Sequence, residues 1–396
     1  MVTRPGTTGA TVGLVTGGHF LSHFYLLVFP PLFPLLRVEL GLSNVELGVL
    51  VAVFSLGMLL QILVGGLVDR VGAKRVFVAG VALTSLGVAL AGLAPSYLSL
   101  VTVATLSGIG QSAFHPADYP LIEAVSDADR VGRHFSIHTF GGYVGFAAAP
   151  LIVGTLGTAY GWRPALLAVG GVGLGYAILA GLVLRPVYRE GLEEGGGPDR
   201  DRASIRAVFD RPGLLVMAGF FVLFSMAGKG IQAFTPILAI DSFGLAEATG
   251  NSALTVLFAV TAVCILFGGV LADRYEPGVV ILGAAGGLAL ALLVLVAGII
   301  PITPWTFLGL FALAGVGYGL VFASRDRLVS AHSPADSTGR SFGFVFTLAS
   351  GGSLVAPVIL GLVIDLSTAA VAFAAIGGLF LLAGLVGLIA GRLGAA

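Results

Sequence analysis

Within GIGQSAFHPADYP, residues 108–120, His115 and Asp118 stand three apart, next to Pro116 and Pro120, inside a long apolar run. A spacing of three puts two helical side chains on nearly one face. An imidazole beside a carboxylate can take up and release a proton near neutral pH if water reaches the pair. The alternative is that Asp118 only caps a helix or pairs structurally. His19 and His23 are four apart and share a face, with Ser22 and Tyr25 close by to supply hydrogen bonds. They could touch a substrate or a proton, or simply pack. Two imidazoles do not complete a metal site, and spacing places no other histidine or acid beside them, so no metal is expected. Lys229 and Gln232 form a third group, in SMAGKGIQAF (225–234). A buried ammonium is costly unless it is paired or used. Lys229 is therefore expected either to attract an anionic or polar substrate or to be a paired or snorkelling structural charge. Gln111, His138 and Arg325 complete the candidate pathway, although pairing with Asp326 explains Arg325 equally well.

These side chains need a scaffold, and composition says which kind. Hydrophobic residues make up 57% of the 396 residues, charged residues only 10%, and mean hydropathy is +1.03. A soluble domain carries about 25% charge; a chain this poor in charge needs a bilayer for its surface. A helix crosses a bilayer core with about 20 apolar residues. Twelve such windows are predicted, at about 12–36, 44–67, 76–94, 98–124, 133–157, 163–184, 213–240, 246–271, 278–300, 303–328, 338–365 and 368–391. The polar stretch 185–212 parts them into an N-terminal bundle (1–184) and a C-terminal bundle (213–396), and reads as a cytoplasmic linker with a short amphipathic helix. With an inside N-terminus, every Lys and Arg except Arg37, Arg163 and Lys229 falls on the inner side. That places both termini in the cytoplasm. The start of the chain lacks the pattern of a cleavable signal peptide.

The two halves repeat. GGLVDRVGAKR (65–75) is matched by GVLADRYEPG (269–278), with Gly65 and Asp69 at Gly269 and Asp273. Gly108, Gly110, Arg133, Gly145, Pro150 and Gly154 match Gly315, Gly317, Arg340, Gly352, Pro357 and Gly361 at a constant offset of 207. Anchors in the same order at nearly constant offset indicate duplication of a six-helix unit. The composition excludes other classes. Zero net charge leaves no nucleic-acid footprint. A single cysteine, Cys264, rules out an internal disulfide. No P-loop and no nucleophile–base pair is visible, so neither an enzyme nor a cofactor is expected.

GGLVDRVGAKR resembles the signature loop of the major facilitator superfamily, Gly-x-Leu-Ala-Asp-Arg-x-Gly-Arg-Lys, and two parallel six-helix repeats describe that fold. The resemblance implies an all-α membrane protein of twelve transmembrane helices in two pseudo-symmetric bundles. It also implies alternating access to a cavity lined by spans 1, 4, 7 and 10. Asp69, Arg70, Gly72 and Arg75 sit at the positions that latch the cytoplasmic gate in that family. Asp273 and Arg274 form a second copy that lacks the later Gly-Lys-Arg and should latch more weakly. GxGxSxFHP, together with HFLSHFYLLVFPPLFPLL followed by GLS, is similar to the fosmidomycin-resistance efflux group. The acid of those relatives, four positions after the span-1 histidine, is His23 here. GFAAAPLIVG (145–154) and GSLVAPVILG (352–361) resemble the antiporter helix motif, with Ala in place of its second Gly. The arginine of classical drug–proton antiporters is replaced by Ala104. The resemblance thus implies a monomeric plasma-membrane transporter exporting a small organic solute in exchange for protons. Uptake of a metabolite, or a non-transporting membrane sensor, are the alternatives.

Overall fold

The computed structural model describes residues 5–127, 129–185, 211–334 and 338–393. Nearly all of the expected linker, 185–212, lies outside them, as do Arg4 and the expected amphipathic helix. Among the described residues the secondary structure is entirely helical. The contacts divide the chain into two compact units, Met1–Glu190 and Gly191–Ala396.

The first unit holds α1 (Pro5–Leu26), α2 (Phe33–Leu40), α3 (Asn44–Leu56), α4 (Gln61–Val71), α5 (Ala73–Ala91), α6 (Tyr97–Gln111), α7 (Phe114–Glu123), α8 (Val131–Tyr160) and α9 (Trp162–Val183). The second holds α10 (Pro212–Phe243), α11 (Glu247–Arg274), α12 (Pro277–Val296), α13 (Pro304–His332), α14 (Thr338–Leu366) and α15 (Ala369–Leu393). Several start where the side chains dictate. Ser43 closes a capping box with Glu46 at α3, and Thr303 closes one with Thr306 at α13. Glu276 accepts from the backbone N–H groups of Gly278 and Val279 at α12. At the other end of α2, Glu39 pairs with Arg163 and accepts from Trp162 Nε1 at 2.7 Å, tying α2 to the start of α9.

Several helix pairings recur in the two units, although α10 also packs closely on α15 whereas α1 barely touches α9. In the first, α1 packs on α8, α5 on α9, and α6 on α3 and α5. In the second, α10 packs on α14, α12 on α15, and α13 on α11 and α12. The repeated glycines sit at matching crossings. A Cβ on Gly108 would lie 2.6 Å from the Phe54 carbonyl oxygen, and one on Gly315 would lie 2.5 Å from that of Leu257. Gly145 backs onto the Phe20 carbonyl, Gly352 onto that of Val222. Lipid supplies no hydrophobic force between helices, so close backbone approach at small residues carries much of the association. The outer faces stay apolar: Leu182 is 79% exposed and Leu63 72%. Such surface suits hydrocarbon rather than water.

Ten helical stretches are long and apolar enough to cross a membrane, counting Thr8–Leu40 as one. The expected spans 44–67 and 98–124 fall short by length because each is interrupted. The first is broken by a 3-10 turn at Gly57–Leu60, where Gly57 lies directly on the Gly108 carbonyl. The second is broken at Ser112 and Ala113, between α6 and α7. Pro116 explains that break: it has no N–H for the Ser112 carbonyl one turn back, and its ring crowds that carbonyl. The second unit tests the explanation. The counterparts of Pro116 and Pro120 at the 207 offset are Ala323 and Arg327, and α13 runs through them unbroken.

Candidate functional site

The break between α6 and α7 restarts the helix with its own rotation, and α7 directs His115 and Asp118 inward. Asp118 is fully buried. Its Oδ2 lies 3.3 Å from His19 Nδ1, on α1, and 3.5 Å from His138 Nε2, on α8. Both imidazoles are buried as well. The His19 ring centroid is 3.9 Å from that of His138, 4.3 Å from His23 and 5.2 Å from His115. Four of the six histidines thus gather around one carboxylate, in one unit, from three helices.

The surroundings hold these rings in place. His23 packs against Phe146 at 4.3 Å and edge-on to Tyr143 at 6.3 Å. Tyr119, half exposed, lies 5.8 Å from His115 and 6.0 Å from His138. Gly142 on α8 faces both α1 histidines: a Cβ there would lie 2.5 Å from His19 Nε2 and 2.8 Å from His23 Nδ1. Gln111 donates to the Ser22 carbonyl at 3.1 Å and to its hydroxyl, joining α6 to α1 one turn from His19. Tyr25 donates to the Val169 carbonyl at 2.8 Å and serves the α1–α9 packing.

Of the expected residues, the structure brings together His19, His23, His115, Asp118 and His138, with Gln111 one turn away. Spacing had placed no further histidine or acid beside His19 and His23; tertiary packing adds two histidines and the carboxylate. Lys229 and Gln232 lie buried on α10 in the second unit. Lys229 has neither an ion pair nor a hydrogen bond among the described residues, and Gln232 Oε1 has no hydrogen-bond partner. Arg325 pairs with Asp326 at 3.1 Å and lies 4.0 Å over the Phe322 ring and 5.0 Å over Phe221.

The residues of the two gate loops lie at exposed turns. Asp69, Arg70 and Arg75 are exposed and form no ion pair among the described residues, while Gly72 makes the turn at φ 91°. The pair that does form is in the second copy, where Asp273 lies 4.0 Å from Arg327 and Arg327 donates to the Ala272 carbonyl. Arg274 is exposed beside it. In this copy the partner of Asp273 comes from α13 rather than from the loop's own Arg274. Gly142, Tyr119 and Tyr143 were missed. Gly142 is one glycine among 60, and neither tyrosine stands in a spacing that marks it.

Residues 15–250 and 226–393 match the Major Facilitator Superfamily. The chain belongs to that superfamily. The superfamily member is 26% identical to YfnC, an uncharacterized MFS-type transporter of Bacillus subtilis, over 92% of this chain and 89% of the relative. It is 25% identical to the fosmidomycin resistance protein of Escherichia coli, over 92% and 88% of the two chains. The crystal structure of a bacterial homolog of the human lysosomal transporter Spinster superimposes on the superfamily member with a TM-score of 0.80 at 16% identity, over 99% of this chain and 98% of the other. That likeness speaks for the fold alone. The superfamily member is thus a multi-pass membrane transporter, and its sequence relatives include transporters of varied substrates.

Proposed function

We propose that this transporter exports a small organic solute in exchange for protons by alternating access, with Asp118 and its histidines as the proton site. One observation carries the reading: a fully buried carboxylate whose ion-pair partners among the described residues are imidazoles. A permanent cation would fix the charge of Asp118. Imidazoles do not, because they can themselves gain and lose a proton. Lys229 and Gln232 are proposed to hold the solute, and an ammonium without a partner favours an anionic one. The likeness to the fosmidomycin resistance protein supports a phosphonate-type cargo and the outward direction. We further propose that α3–α4 and α6–α7 each complete one crossing, which gives twelve. The stretch 185–212 is then a cytoplasmic linker between the bundles, both termini are cytoplasmic, and the chain acts as a monomer in the plasma membrane.

Everted vesicles containing the chain test this directly. Addition of fosmidomycin or another phosphonate to energised vesicles should release protons from the lumen. Asp118→Asn should abolish that exchange while membrane insertion stays normal. Full proton-coupled transport in the variant would remove Asp118 as carrier, and a pH change of the opposite sign would establish uptake.

A further inference from the structure

We propose that His19, His115, Asp118 and His138 form a binding site for one divalent transition-metal ion of the zinc class. One ligand atom from each of these four side chains lies within 4.8 Å of all the others. Two of the separations match the spacing of ligands around a metal. Zinc–nitrogen and zinc–oxygen bonds of about 2.0–2.1 Å place tetrahedral ligands about 3.3 Å apart. Asp118 Oδ2 lies 3.3 Å from His19 Nδ1 and 3.5 Å from His138 Nε2. A charge-assisted hydrogen bond would draw such atoms to about 2.7–2.9 Å.

The unsatisfied polar atoms agree. Asp118 Oδ1, His115 Nδ1 and both ring nitrogens of His138 are buried without a hydrogen bond. Buried polar atoms are nearly always satisfied, so several unsatisfied ones around one point call for an explanation. A shared cation supplies one. Three imidazoles and a carboxylate suit zinc and its neighbours, whereas magnesium and calcium require mostly oxygen donors. The helices also limit the number of ions. At the 207 offset the counterparts of His115, Asp118 and His138 are Phe322, Arg325 and Val345. The α10 counterpart of His19, set by the matching Gly145 and Gly352 crossings, is Phe221. An arginine over two phenyl rings takes no metal, so the second unit has no equivalent and one ion binds per chain. The site involves the side chains of the proposed proton site, but it does not depend on proton transport; its readout is metal binding.

The test is a titration of the purified full-length chain in detergent with Co2+ alone. The intense visible absorption of four-coordinate Co2+ should rise to saturation at one equivalent, and Zn2+ but not Mg2+ should abolish it. His138→Gln and Asp118→Asn should each weaken Zn2+ binding by about 100-fold or more, the upper end of what even a lost outer-shell partner costs. His134→Gln and His332→Gln should leave it unchanged, because those rings bond to Ser126 and to the Ala390 carbonyl elsewhere. Absence of a saturable four-coordinate spectrum in the wild-type chain overturns the proposal without any variant. So does a spectrum that survives both cluster substitutions.

Discussion

At the scale of single residues, the two units handle buried charge differently. Asp118 shares its surroundings with imidazoles, so its charge has partners whose own protonation can adapt. Lys229 has no such partner among the described residues, and an unpaired buried ion costs several kcal/mol. A residue kept at that cost is expected to serve binding, and its removal should expose the trade-off between function and stability. Lys229→Met should therefore raise the thermal midpoint of the purified chain, by the equivalent of about 1–3 kcal/mol. It should also weaken binding of anionic solutes about tenfold or more while leaving neutral ones untouched. Thermal melting and ligand titration measure the two effects. A lower midpoint would show a structural ion pair instead, and equal affinity across both solute classes would show that the lysine takes no part in selectivity.

At the scale of elements, the interruption between α6 and α7 matters most. A continuous helix would carry His115 and Asp118 on the rotation set by α6; the break at Ser112 and Ala113 lets α7 choose its own. Pro116→Ala restores the donor for the Ser112 carbonyl and removes the ring that crowds it. A proline within a helix costs about 3 kcal/mol, and part of that should return as a higher melting temperature. Transport should fall, because a rejoined helix turns Asp118 away from His19 and His138. Transport at the wild-type level in a stabilised variant would show that the break does not position the site. The 3-10 turn at Gly57–Leu60 has a different cause. It contains no proline, and Gly57 sits against the Gly108 carbonyl, where any side chain would force the backbones apart.

At the scale of the whole molecule, duplication explains why several helix pairs recur in each unit, and sequence divergence explains why, among the described residues, the cluster lies in one unit. The proposed topology of twelve crossings with both termini in the cytoplasm would put the Asp69 and Asp273 loops on the same, inner face. Because Cys264 is the only cysteine, Cys264→Ala gives a background without thiols. Single cysteines introduced by Asp69→Cys and Asp273→Cys should then react with an impermeant maleimide only in everted vesicles, and one introduced by Arg163→Cys only in intact cells. Labelling of the two Asp sites from opposite faces would rule out the twelve-crossing topology.

Much of this was legible in the sequence because the bilayer imposes it locally. Apolar windows, the charge bias of the loops and the constant offset between GGLVDRVGAKR and GVLADRYEPG are properties of the linear chain, and they were enough to indicate helices, duplication and superfamily. His115 and Asp118 stood out for the same reason, as titratable residues beside prolines in an apolar run. The meeting of His19 with Asp118 was not legible: 99 residues separate them, and which faces α1, α7 and α8 turn toward one another follows from close glycine crossings such as Gly142 and Gly145, not from any local pattern. The count of long helices also needed the structure, since a proline marks where a helix is strained but packing decides whether it bends or breaks. The chain by itself determined what kind of molecule this is; only tertiary packing decided that its scattered histidines surround one buried carboxylate.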